Sequence, residues 1–456
     1  MNNITTLRIA TLSPIRSPIS AYSEQRAAST PEHLPDTSQG ANQHLLPPSE
    51  ALSRIDWPWA NGYGTLAHDS LPKFFLPFDC YNIDTTDCVA HSSNLRRLVE
   101  DWRGEIETCQ LFLYDDTVAL LRLDVVISVD DAILDELTAS GSLDKTLSDG
   151  AGYIHKTLLY PIFQTYCKEF DRRFGKSRSA PDQLLRNPNK LTVFKDIHFK
   201  EPTAPESHVL WTGRSIIIKP EKFDSPTGDT LRQRVSFPGT IDDLRQKRHH
   251  VGSGNVLVIS EDAEASRDDW FRGLSLCQYY NAILAIYSRI LKSSYSQLTD
   301  LLGAQRTRNG ELNRLMADIT QSLDHLEFSR LEFNEARVGV QGDRAAIVND
   351  SCAAWKLDGL IQSALERTDL IRSRIARLLA ARKSRVDKTV ELILAGIGGV
   401  ALVELFISLT TASRSLPKDD FPGLLDVFLW MPPNGAIALS SLLLMVIFIY
   451  IYIAKR

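Results

Sequence analysis

Hydrophobic and polar positions follow different periods along this chain, and the changes of period divide it. Residues 1–54 carry no sustained pattern. Pro14, Pro18, Pro31, Pro35, Pro47 and Pro48 lie among many Ser, Thr and Asn residues, which reads as a disordered leader. Residues 55–264 show short apolar runs between Gly- and Pro-bearing loops. Cys109–Tyr114 and Val118–Ile127 flank Asp115-Asp116 and predict a β-hairpin. Tyr153–Phe174 has amphipathic helical spacing, with Pro161 expected to kink or divide it. Val209–Ile218 and Asn255–Ile259 predict further strands, so this stretch is expected to fold as a mixed α/β domain with its own core.

The pattern then turns helical, over 265–389. Ser266–Leu302 and Asn309–Val340 predict two long helices separated around Gly303–Gly310. A third starts near Ser351 and meets no breaker before the apolar segments that follow. Leu357, Ile361, Leu365, Thr368, Ile371, Ile375, Leu379 and Arg382 recur every three or four residues along it. Continued to Thr411, about 60 residues would make a rod of roughly 90 Å. One apolar stripe on such a rod needs partners, most simply copies of itself.

Two apolar segments close the chain. Residues 390–411 hold only Glu391 and Glu404 as charges, and 435–453 hold none. About 20 apolar residues span a bilayer's hydrocarbon core, so both are expected to be transmembrane helices, joined by an outer loop at 412–434. Arg372, Arg374, Arg377, Arg382, Lys383, Arg385 and Lys388 precede the first, and Lys455 and Arg456 follow the second. This bias places both termini in the cytoplasm or an equivalent compartment. A multi-pass protein of the plasma (inner) membrane is the expected location. The alternative is the mitochondrial inner membrane, because Arg8 and Arg16 precede every acidic residue, as in transit peptides. The N-terminus lacks the apolar region of a cleavable signal peptide.

Composition narrows the chemistry. With 456 residues, 43% hydrophobic and 23% charged, the chain suits folded domains rather than wholesale disorder. A net charge of −5 argues against direct DNA binding as its main business. Six scattered cysteines, none in a CxxC pair, fit neither a disulfide framework nor a zinc ribbon. Gly175-Lys176-Ser177 ends like a P-loop, yet Phe170 stands where the first glycine belongs. The ten histidines form no metal-ligand spacing and no GxSxG elbow occurs, so no enzyme is expected and no metal site is assigned.

Two clusters stand out. Arg245, Lys247, Arg248, His249 and His250 precede Gly252 and Gly254, with Arg232 and Arg234 close in sequence. A solvated loop is the plainer reading; the sharper one is a cradle for an anionic ligand such as a nucleotide. Within the first apolar segment, Glu404, Ser408 and Thr411 share one helical face with Ile397, Val400 and Ala401 toward its inner end. In a ring of identical helices this face would line a pore, with an acidic outer vestibule above an apolar constriction. A glutamate bonded between helices is the alternative. Ala395 and Gly399 form a small-xxx-small pair that suits close helix approach.

The order of parts resembles the CorA-type magnesium transporters, over roughly residues 70–456. An α/β domain leads to long helices, a stalk helix enters the first span, and a short loop, a second span and a basic tail follow. The resemblance implies a CorA-like funnel: a homo-oligomer, pentameric in that family, with the first span lining its pore. It also implies Mg2+ or another divalent cation as a possible ligand at acidic interfaces. The family's Gly-Met-Asn signature is absent; its place reads Thr410-Thr411-Ala412-Ser413-Arg414. Met431-Pro432-Pro433-Asn434 is a loose echo, so the family's ion filter is carried to no residue. CorA-like proteins without the signature include nucleotide-responsive membrane effectors of antiviral defence. A gated ion channel or transporter is thus one expectation. A membrane-anchored oligomeric scaffold or receptor is the other.

Overall fold

The computed structural model describes residues 4–17, 49–55, 77, 79–114, 118–166, 209–223, 225–235, 248–261, 265–303, 309–415 and 432–454. The chain divides into two compact units, Met1–Arg372 and Ser373–Arg456. The first is built on one sheet of β1 (Ile4–Arg16), β2 (Leu52–Arg54), β3 (Asp79–Ile83), β4 (Glu105–Leu113), β5 (Val118–Asp130), β6 (Gly213–Ile218), β7 (His249–Val251) and β8 (Asn255–Ile259). The spatial order is β2-β3-β4-β5-β1-β6-β8-β7. Neighbours are antiparallel except β6 and β8, which run parallel.

The segment read as a leader therefore supplies a central strand, and that reading is corrected over residues 4–16. β1 pairs with β5 from Ile4↔Asp130 to Arg16↔Val118, and with β6 on its other side. Leu7, Ile9 and Ile15 are buried on one face, alternating with the opposite face at period two. Thr11 and Ser13 share that buried face and hid the alternation. Their hydroxyls are satisfied, Thr11 Oγ1 donating to the Leu123 carbonyl (3.1 Å) and Ser13 Oγ to Thr212 Oγ1 (2.9 Å). The domain expected to start at residue 55 thus begins at Ile4, and β2 also precedes that boundary. The β4–β5 hairpin is as expected; its turn at Asp115-Asp116 lies outside the described residues.

Helices cover both faces of the sheet. On one, Leu121, Leu123 and Val125 join a core with Leu95 and Leu98 of α2 (Ser93–Glu100, after the short α1, Thr86–His91), Leu134 of α3 (Asp131–Ala139), and Leu147 and Ile154 of α4 (Ser142–Ile154). The helix expected from Tyr153 starts eleven residues earlier. It passes through a π turn, His155–Leu159, and stays helical over 160–166. Pro161 explains the π turn: it has no N–H for the carbonyl four residues back, and the Tyr160 amide instead reaches the His155 carbonyl.

After α5 (Pro220–Phe223) and α6 (Pro226–Arg234), the opposite face receives α7 (Ala265–Gly303). Phe271 sits 5.0 Å from the Phe112 ring, Tyr279 stacks on Tyr114 at 4.4 Å, and the Arg122 guanidinium lies 4.2 Å over Phe271. Arg122 is held there by Asp124 (Nη2–Oδ2, 2.7 Å), which also accepts from Thr108 Oγ1 at 2.8 Å. This ion pair is buried, so each charge depends on the other.

Two further helices, α8 (Asn309–Gly339) and α9 (Asp343–Ala354), lie against α7, and the α7–α8 break falls where the glycines predicted it. Tyr280 of α7 stacks on Phe333 of α8 at 3.9 Å. Leu312, Leu315, Ile319, Leu326, Ser329, Phe333 and Ala336 are buried at heptad spacing along α8. The expected unbroken helix from Ser351 is interrupted: α9 ends, Lys356 takes a left-handed φ of 53°, and α10 (Leu357–Ser415) begins. No Gly or Pro marks this break.

Leu357, Ile361, Ala364, Thr368, Ile371 and Ile375 of α10 are buried within the single chain, with Ala364 replacing Leu365 in the stripe. The stripe is thus covered within the chain as far as Ile375. Beyond it, Ile393–Arg414 is long and apolar enough to cross a membrane, and only 11% of it is buried. This lies three residues beyond the expected 390–411. α11 (Pro433–Ala454) contains the second expected segment, and among the described residues Ile437–Val446 is an apolar helical stretch within it. Among the described residues, one helix meets the length and hydropathy needed to span. Residues 416–431, most of the expected outer loop, lie outside them.

Candidate functional site

One helical face of α10 carries a stripe of mostly apolar residues that ends in a carboxylate. Ile393, Gly396, Ile397, Val400, Ala401 and Glu404 line a shallow, open surface groove of about 430 Å³. Their spacings of three and four residues put them on successive turns. Ser408 and Thr411 continue the stripe and are exposed, as Glu404 is. Thr411 Oγ1 donates to the Ile407 carbonyl at 2.8 Å, which leaves its oxygen able to accept. All five residues predicted to line a pore are thus brought to one face.

The second helix lies on a different face. Gly399 is buried, and a Cβ there would meet Leu444 Cδ1 of α11 at 2.5 Å, so the two helices approach through the missing side chain. Gly399 stands about 140° round the helix from Glu404. Thr410, Ser413 and Ser440 are also buried, each donating to its own helix backbone (2.7, 2.9 and 3.1 Å), so no hydroxyl is left wanting. Three sectors result: the Glu404 stripe, the Gly399 contact, and an outward apolar sector holding Leu402 and Leu405.

The basic cluster is assembled differently from its sequence reading. Arg245 and Lys247 lie outside the described residues. Arg248 is exposed in a left-handed conformation, φ 58°. His249 is buried at the sheet edge, with Nε2 3.1 Å from Asp350 Oδ2 on α9 and its ring edge-on to Trp270. His250 Nε2 stands 3.2 Å from the Val235 carbonyl. The Gly252 amide donates to the Asn255 carbonyl (2.8 Å), while the Gly252 carbonyl accepts from Trp355 Nε1 (2.9 Å). Arg232 is engaged by Asp229 and by the Phe223 carbonyl. Only Gly254 has open space beside it. His249 and Gly252 thus tie the sheet edge to α9 and its C-cap, while His250 is tied to the residue that ends α6.

Sequence reading missed one arrangement outright. Cys277 on α7 and Cys352 on α9 are buried neighbours in the seam between those helices, and each shifts the other's titration. Seventy-five residues separate them, and no local motif announces the pair. Among the described residues, no cluster of three or more His, Cys, Asp or Glu side chains suits a metal ion. Compared with protein-family models, with curated proteins and with solved structures, the chain matches none.

Proposed function

We propose that this protein is a membrane-embedded ion channel or transporter, a homo-oligomer in which the Glu404 face of α10 lines the conducting path. One observation carries this reading: the segment Ile393–Arg414 is apolar but only 11% buried, and its single exposed carboxylate faces away from α11. In hydrocarbon an ionisable side chain needs water or a polar partner. Among the described residues the contact with α11 falls at Gly399, on another face, and copies of α10 around a water-filled axis would supply both. The reading carries with it two spans, both termini on the inner side, and the first unit as the part that couples a stimulus to α10. A divalent cation at subunit interfaces is the proposed type of stimulus, by the resemblance to CorA-type proteins.

Flux from liposomes containing only the purified chain tests the proposal. Cation flux should appear, and Glu404→Lys should reverse or abolish its cation preference while Glu404→Gln reduces it. Oligomeric protein with no flux for any small ion would instead favour the membrane-anchored scaffold.

A further inference from the structure

We propose that Cys277 and Cys352 form a peroxide-oxidisable dithiol, a modification site in the seam between α7 and α9. The packing argues first. A Cβ on Gly273, one turn before Cys277, would lie 3.4 Å from the Arg344 carbonyl oxygen and 3.4 Å from Ile347 Cγ2. The glycine thus lets the two helix backbones approach closely at this level, as a disulfide between helices requires. One turn on, Cys277 Sγ lies 3.8 Å from the Val348 carbonyl oxygen. Val348 is one turn before Cys352, and a helical side chain leans back over the preceding turn, so the Cys352 sulfur stands over the same place. The two thiols are free, and each shifts the other's titration across the seam.

The surroundings divide the roles. The neighbouring Cys277 thiol lowers the pKa of the Cys352 thiol, with help from the Arg337 charge, and both outweigh its burial. Burial pushes Cys277 up, and Cys352 pushes it further. Cys352 is therefore the nucleophile and Cys277 the resolving thiol. Cys352 is buried but lies in the last turn of α9, next to the exposed Ala353 and Ala354, so a small oxidant has only a short way to travel from the surface.

The chemistry balances with hydrogen peroxide as oxidant. The Cys352 thiolate attacks one peroxide oxygen, an S–O bond forms, the O–O bond breaks, and the departing hydroxide takes the thiol's proton to leave as water. The Cys277 sulfur then attacks the sulfenic acid. An S–S bond forms, the S–O bond breaks, and hydroxide leaves as a second water with the Cys277 proton. Two thiols lose two electrons and two protons, and the peroxide is reduced to two waters. The bond would staple α9 to α7 just before the Lys356 break into α10.

The test is peptide mapping of the full-length chain after brief hydrogen peroxide treatment and alkylation. A Cys277–Cys352 linked peptide should appear and vanish on reduction, with Cys352 reacting about tenfold or more faster than Cys80 or Cys109, which are buried and pushed up. Cys277→Ser should stop Cys352 at the sulfenic acid, trapped by a cyclic 1,3-dione. Cys352→Ser should leave Cys277 unmodified. Should a variant fail to fold, the wild-type map still decides. Both cysteines remaining fully alkylatable under peroxide, or linked in the same mixture of pairs as the urea-unfolded chain, would overturn the proposal.

Discussion

α7 and the distal part of α10 are both long, apolar helices, yet they meet opposite surroundings. On α7, Phe271, Cys277, Tyr279, Ile283 and Ile290 are all but inaccessible, because the sheet lies on one side and α8 and α9 on the other. On α10, Ile393 is 57%, Ile397 63% and Val400 58% exposed. α7 also buries polar groups with partners, as where Trp211 Nε1 donates to Gln278 Oε1 at 2.7 Å. The α10 segment holds one carboxylate and hydroxyls that fold back on their own backbone. Apolar content alone does not separate a core helix from a spanning one. Burial within the chain's own fold does, together with how each polar group is satisfied.

That contrast can be broken from either side. The largest effect is expected in the packed unit. Asp124→Ala leaves Arg122 buried without its counter-charge, and should destabilise the first unit by about 3–5 kcal/mol, read as a lowered denaturation midpoint. The same variant should leave the insertion of α10 into liposomes unchanged. Next comes Gly399→Leu, whose side chain must displace Leu444 from α11. A cost of about 1–3 kcal/mol is expected, read as a lower melting temperature in detergent, with the denaturation of the first unit unaffected.

The smallest effect concerns pH. Burial raises the thiol of Cys109 above the ordinary value of 9.0. Below 9.0 the thiol is protonated whether folded or unfolded, and its contribution is whole. Above it the unfolded chain ionises while the folded one does not, so stability falls by up to ~1.4 kcal/mol per pH unit toward the raised folded value. Denaturant midpoints measured across that range should slide downward, and Cys109→Ala should flatten the slope.

Local patterns made much of the fold legible. The β4–β5 hairpin came from two apolar runs, and the ends of α7 and α8 from Gly303 and Gly310. The shared face of Ile397, Val400, Glu404, Ser408 and Thr411 followed from helical spacing alone. What escaped was set by distant partners. β1 hid because Pro14, Thr11 and Ser13 look like a polar tail until Leu123 and Thr212 are beside them. The break before α10 hid because Lys356 adopts a positive φ without a glycine. The tie between the basic turn and α9 hid because Asp350 is about a hundred residues away from His249, and only the fold brings them together.

The central claim, that one face of α10 meets water inside a membrane, is tested most directly by cysteine scanning of the full-length chain in liposomes. The account predicts that a small hydrophilic thiol reagent reacts at Ile397→Cys, Val400→Cys, Glu404→Cys and Ser408→Cys, and spares Leu402→Cys and Leu405→Cys in the outward apolar sector. Reaction that ignores this three-to-four spacing, or that peaks at Leu402 and Leu405, would contradict it.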